Sequence, residues 1–238
     1  MDLTARSPNH LLASLPEADF AVVRPHLRLI ELVQGDVLAR TGDIVPRVYF
    51  PHNGIISLII RLAEGETVEF AMIGHDSIFG ASSRNDDEIS LHDAIVQLPG
   101  TASTLDLMHF RKAVDQSRVF QNLLVKHRQA LLAQAQQSAA CNACHTVESR
   151  LSRRLLHMHD LSDSNELPLT QGFLAQMMGV QRNSVSLVAN TLQLAGLIHY
   201  QRGHLEITNL EGLREVACGC YDTVKAHRSR LLNLAAYH

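Results

Sequence analysis

The segment from Leu167 to Thr208 constrains the chain most. Thr170 is a good N-cap, and Leu174, Ala175 and Met178 behind it share one helical face. Gly179 follows where a tight turn needs a positive φ. Val180, Val185, Val188 and Leu192 then give a second helix its inner face. Small Ala175, turn Gly179 and branched Val185 suit two helices that cross closely. His199–Thr208 continues as a hairpin turning at Arg202–Gly203. Two helices, a turn and a hairpin make a winged helix-turn-helix, an arrangement that sets its second helix in the major groove of double-stranded DNA.

The outer face of that second helix carries Arg182, Asn183, Ser186, Leu187 and Asn190. Arg182 has the fork to donate twice to guanine, and Asn183 the amide to pair with adenine. Leu187 is apolar on a polar face and suits a thymine methyl. Thr170, Gln171, Ser184 and, on the hairpin, Arg202 and His204 are placed for phosphates, which position a protein without specifying sequence.

Global charge does not do this work. The 238 residues have a net charge of -3, and 19% of them are charged. From His145 onward nine Lys/Arg face eight Asp/Glu, a balance of 9 - 8 = +1. DNA affinity must come from a local patch. The start lacks a signal-like apolar segment, and no apolar run is long enough to span a membrane. Four cysteines in a chain this long do not make a disulfide scaffold, so a cytoplasmic setting is expected.

The first half reads differently. After helical residues 9 to 25, with Pro16 opening a second short helix, short Val/Ile/Leu/Tyr/Phe runs alternate with glycine at Gly35, Gly42, Gly54, Gly65, Gly74 and Gly80. Ile55–Leu62, Thr67–Ile73 and a last strand at His92–Leu98 are the clearest, which predicts an antiparallel roll. From Leu105 to about Leu161 there is no proline or glycine. Phe120, Leu124, Leu131 and Ala135 form a stripe on this long helix, read as the seam of a homodimer. The hinge is expected at Gln137–His145. The division is 1–110 for the roll, 111–144 for the dimerisation helix and hinge, and 145–238 for the winged domain with a final helix from Leu213 to Leu234. The fold class is α+β.

Gly35-Asp36, Gly42-Asp43, Tyr49-Phe50, Gly54, Gly65, Gly74 and Phe79-Gly80 resemble the β-roll of cyclic-nucleotide-binding domains. Roll, long helix and winged helix-turn-helix, in that order, resemble the cyclic-AMP receptor protein and fumarate-nitrate regulator (Crp-Fnr) family. The resemblance implies a homodimeric transcription regulator that contacts RNA polymerase and answers a small-molecule effector. In nucleotide-binding relatives a Glu takes the ribose and an Arg the cyclic phosphate. Here Ala81 resembles the first position and His92 the second, with Asp93 beside it to repel a phosphate. Arg84, a nearby substitute cation, sits in the polar loop Ser-Ser-Arg-Asn-Asp-Asp-Glu and is read as solvated. Cyclic AMP is therefore not expected to bind, and no effector-binding residue is assigned. Relatives often carry Arg-Glu where this chain has Arg182-Asn183, so its half-site need not follow theirs.

Cys141-Asn-Ala-Cys144-His145 has the spacing of covalent haem attachment, but it lies inside a helical run of an unexported chain. With Cys218 and Cys220, Cys141 and Cys144 leave open a redox- or metal-sensing regulator; buried apolar thiols are the plainer reading, and no metal or cofactor is assigned. A cupin-like metalloenzyme using His52, His75 and His92 is the rival from another class. It leaves the winged domain unexplained, and no paired nucleophile and base supports catalysis.

Overall fold

The computed structural model describes residues 7–81 and 89–232. Helices α1 (His10–Ala13) and α2 (Glu17–Val23) open it, with Pro16 as the N-cap of α2. The fully buried Asn9 anchors this end. Its Oδ1 accepts from the Leu11 and Leu12 amides at 3.1 Å, and its Nδ2 donates to the Pro51 and Ser77 carbonyls at 2.9 and 3.0 Å.

The roll has two sheets. Strands β1 (Arg28–Leu32), β3 (Arg47–Pro51) and β7 (Gly100–Asp106) pair in the order β1-β7-β3. Strands β2 (Val37–Ala39), β4 (Ile55–Arg61), β5 (Thr67–Ile73) and β6 (Asp93–Leu98) pair as β2-β6-β4-β5, all antiparallel. Tyr49 and Phe79 bridge β3 to the segment after β5. The roll thus has a strand beyond the last one expected. Strand β7 begins Gly-Thr-Ala-Ser-Thr, which lacks the large branched residues that mark β4 and β5.

The long helical stretch is three helices. Helix α3 (Leu107–Gln116) ends at Ser117, whose Oγ caps α4 (Arg118–Cys144) by accepting from the Phe120 amide at 3.0 Å. His145 caps the end of α4, and Thr146 starts α5 (Val147–Ser162). The break therefore lies at His145–Thr146; the expected hinge from Gln137 is still helix. Two residues of the stripe expected to form a seam are not available for one. Phe120 and Leu124 are buried within the protomer, in a core with Leu11, Phe50 and Phe110. The exposed side of α4 instead carries Val125, Gln129, Leu132, Gln136, Ala139 and Ala143, an alternation of four- and three-residue steps.

The C-terminal domain adds β8 (Glu166–Leu167), α6 (Gln171–Met178), α7 (Arg182–Leu194), β9 (Ile198–Gln201) and β10 (His204–Ile207), the strands pairing β8-β10-β9. The expected final helix is divided at Ala217 into α8 (Leu210–Val216) and α9 (Cys220–Leu232).

The domain packs on the roll through one core that includes Ile55, Met72 and Leu98 from the strands and Leu151, Leu155 and Leu161 from α5. A buried ion pair reinforces it: Arg154 on α5 grips Glu69 on β5 at 2.6 and 2.7 Å. Helix α9, whose role the sequence left open, lies along α4 and adds Arg228 at 2.8 Å from Asp76. Among the described residues no helix is long and apolar enough to cross a membrane.

Candidate nucleic-acid interface

Helix α6 starts at Thr170, whose Oγ1 accepts from the Phe173 amide at 3.1 Å. It ends in a two-bond cap: the Val180 amide reaches the Ala175 carbonyl at 3.1 Å, and the Gly179 amide reaches Gln176 at 3.3 Å. Gly179 sits at φ +62, and a Cβ there would lie 2.8 Å from Val68 of β5. Glycine is thus required twice, for the turn and for the close approach to the roll.

The turn delivers α7 with Val185, Ala189 and Leu192 buried beneath it. Each larger side chain contributes about 1.5–3 kcal/mol by leaving water, which fixes the rotation of the helix. Arg182, Asn183, Leu187 and Asn190 therefore face outward. Leu187 is 69% exposed, and Leu194, one heptad on, is 83% exposed. Sequence reading missed Leu194, although its spacing from Leu187 places it on the same face.

The remaining candidates do more local work. The Ser186 hydroxyl donates to Gln171 Oε1 at 2.6 Å, which ties α7 to the start of α6 and leaves the Gln171 amide nitrogen turned to other partners. Ser184 is half-buried in the first turn of α7. The Gln171 backbone amide donates to Tyr200 Oη at 3.1 Å, and the Tyr200 amide donates to Gln193 Oε1 at 2.7 Å. Tyr200 and Gln193 thus stitch the hairpin to both helices; only their proximity in the fold, not a motif, reveals them. Arg202 and Gly203 form the two-residue turn at φ 49 and 85, paired across Gln201 and His204. The Arg202 side chain is exposed at the hairpin tip.

The roll and α4 frame a half-open cavity of about 420 Å³. Leu58, Ile78, Ala81, His92, Leu131 and the exposed Arg128 are among its lining residues, so both positions that stand in for the nucleotide-holding Glu and Arg face it. His92 lies edge-on to Phe70 and Phe79, and its Nε2 has no hydrogen-bond partner among the described residues. Burial lowers its pKa, which favours the neutral ring. His127 is neutral for the same reason, lowered to about 4, and its Nε2 accepts from the Ile78 amide at 3.3 Å and lies 2.6 Å from Ser77 Oγ. Asp93 does not line the cavity. Burial alone would raise its pKa, but the Thr41 amide at 2.9 Å and Arg61 at 2.7 Å outweigh that and hold it below its ordinary value. The charge expected to repel a phosphate is thus engaged by Arg61 instead. Arg84 lies outside the described residues.

The histidines proposed for a metalloenzyme are scattered. His52 bonds to Thr101 and Ser103 at 3.2 and 2.9 Å, His75 to the Leu161 carbonyl at 2.8 Å, and His92 faces the cavity. The cysteines do gather, with one exchange. Cys141, Cys218 and Cys220 meet near the end of α4, while Cys144 is exposed and His145 takes the place expected for it.

Residues 29–117 match the cyclic nucleotide-binding domain family, and residues 149–216 match the Crp-like helix-turn-helix domain family. No curated protein sequence matches the chain. Solved structures share the fold. FixK2 from Bradyrhizobium japonicum is 15% identical with a TM-score of 0.69, over 81% of this chain and 98% of that one. The c-di-GMP responsive global regulator CLP from Xanthomonas campestris is 17% identical, TM-score 0.61, over 81% and 99%. A CRP/FNR-family transcriptional regulator from Thermus thermophilus is 20% identical, TM-score 0.59, over 80% and 98%.

Proposed function

This chain belongs to the Crp-Fnr family of transcription regulators, and we propose that it acts in the cytoplasm as a homodimer that reads a two-fold-related DNA site through α7. The observation that carries this reading is the outward stripe of α7, where Arg182, Asn183 and Leu187 stand exposed above a buried inner face. Arg182 and Asn183 read base edges, and Leu187 meets a thymine methyl. Thr170, Gln171, Ser184 and Arg202 hold phosphates, with Ser186 setting Gln171 for that task. RNA polymerase is the partner that turns binding into regulation.

The exposed side of α4 supports the dimer. Val125, Leu132 and Ala139 recur every seven residues, with Gln129, Gln136 and Ala143 at the intervening coiled-coil positions, in a helix whose other side is already packed. The cavity supports an effector that is not cyclic AMP. Relatives hold the phosphate with an Arg where this chain has His92, and His92 and His127 are held neutral there; the cation on the lining, Arg128, is exposed on α4 rather than seated at that position. A largely apolar molecule with a hydrogen-bonding group for His92 Nε2 suits the lining better.

Selection of bound DNA from a random pool tests the reading. It should return inverted repeats whose half-sites lie about one helical turn apart. V125E/L132E should sediment as a monomer and lose that binding. Single, unrepeated sites or a monomeric parent would overturn the dimer. Millimolar cyclic AMP should leave the thermal midpoint where it is, whereas a clear rise would overturn the cavity assignment.

A further inference from the structure

The three gathered cysteines and His145 lie outside both the DNA-reading surface and the cavity. Cys141 ends the buried side of α4, and His145 is the capping residue one turn on. Cys218 lies between α8 and α9, and Cys220 opens α9. The chain brings these sequence-distant pairs to one point. Cys141 Sγ is 3.5 Å from Cys218 Sγ, Cys220 Sγ is 3.5 Å from His145 Nδ1, and all four donor atoms lie within 4.8 Å of one another.

We propose that Cys141, His145, Cys218 and Cys220 bind one zinc-type divalent cation in a closed structural site. A tetrahedral ion with Zn–S bonds near 2.3 Å separates its sulfur ligands by about 3.8 Å, close to the 3.5 Å between Cys141 and Cys218 and within the 4.8 Å that bounds the whole set. Three sulfurs and one imidazole are a donor set that zinc takes without leaving an open position. The span suits a single ion; sulfide-bridged irons would push the outer donors further apart.

The surroundings fit a site that becomes anionic. Three thiolates around a dication leave one net negative charge. Gln137 Nε2 points a donor at Cys220 Sγ from 2.9 Å, as outer-sphere partners of metal-bound sulfur do. Arg150 interacts electrostatically with Cys141 and Cys218, and Arg153 with Cys141. Cys144, exposed on the next turn, takes no part.

The position gives the ion a mechanical role. It fastens α9 to the end of α4 at the break before α5, where the reading domain leaves the long helix. Because α9 also reaches the roll through Arg228 and Asp76, a loaded site holds the reading domain, long helix and roll in one arrangement. A Cys141–Cys218 disulfide would join two of the four residues and leave Cys220 and His145 without a task.

Metal analysis of the full chain tests this without reference to DNA. Protein purified with reductant and without chelator should carry about one equivalent of zinc per chain. Cobalt exchanged for it should give the visible and near-ultraviolet bands of a tetrahedral thiolate site. Cys141→Ser risks misfolding, so exposed His145 supplies the second variant: His145→Ala should fold yet lose zinc affinity by at least about tenfold against a chromophoric chelator. Cys144→Ser should match the parent. Less than about a tenth of an equivalent, with no cobalt bands in a folded chain, would overturn the site. So would equal metal loss in Cys144→Ser and His145→Ala, or a Cys141–Cys218 disulfide in the purified protein.

Discussion

The reading helix and the roll cavity are built on opposite terms. Helix α7 carries its chemistry on consecutive turns of one 13-residue segment, and its polar groups stand in water. The cavity is assembled from β4, the segment after β5, the segment before β6 and α4, and its two histidines are driven neutral by burial. A surface that meets phosphates and base edges keeps its charges hydrated until DNA arrives. An ionisable group buried in a cavity wall discards its charge unless a fixed partner holds it. The difference teaches where selectivity would be written under the proposed function: in side-chain identity on α7, and in shape and an apolar lining in the roll.

The two regions are joined by Glu69 and Arg154, and cutting that joint should have the largest effect. Both side chains are buried, and Glu69 also accepts from Ser57 at 2.5 Å. Arg154→Ala leaves an unpaired carboxylate in the interface, so urea unfolding should show a loss of about 3–5 kcal/mol. The double change E69L/R154M removes both charges and should recover most of it. Were Arg154→Ala silent, roll and reader would be independent units, and the contrast between them would say nothing about control.

Acid should separate the two regions next. His127 has an ordinary pKa of 6.5 when unfolded and about 4 in the fold, because burial disfavours its charged ring. Between those values the unfolded chain binds a proton that the folded chain refuses. Stability is therefore complete above pH 6.5 and falls by about 1.4 kcal/mol per pH unit as pH drops toward 4. His157, buried beneath α9 and lowered further by Arg228, adds a slope of the same sign. Urea midpoints at several pH values should show a shallower slope in His127→Gln, which keeps an acceptor for the Ile78 amide. An unchanged slope would mean that the wall of the cavity at His127 is already hydrated.

These behaviours are unequally legible in the sequence. The winged domain can be read residue by residue because its signals are local: a cap at Thr170, a positive-φ Gly179, a turn at Arg202–Gly203. Periodicity alone does not tell the buried stripe of α4 from the exposed one, because both faces of that helix carry apolar residues at helical spacing, and only packing tells Phe120 and Leu124 from Val125 and Leu132. Strand β7 escapes because pairing on both sides, not its own composition, makes it a strand. The partner of Cys141 is beyond reach for the same reason: Cys218 lies 77 residues away, and helical spacing favours Cys144.

On the reader, Arg182→Ala should cost about 1–3 kcal/mol in affinity for the selected site, read by fluorescence anisotropy, and relax one base position. Footprinting that shows unchanged affinity and sequence preference would move the base contacts away from the first turn of α7. Arg202 gives the smallest and most diagnostic effect. Its backbone sits at φ 49, a region that asparagine tolerates better than arginine, so Arg202→Asn should keep the turn or firm it slightly. What it removes is one charge at the hairpin tip. Binding should weaken uniformly across operator variants, and the slope of log affinity against log salt should shrink by about one, as expected for a single lost phosphate contact. A change in sequence preference instead would make the hairpin a second reader of bases, and the division between a helix that specifies and a wing that positions would fall.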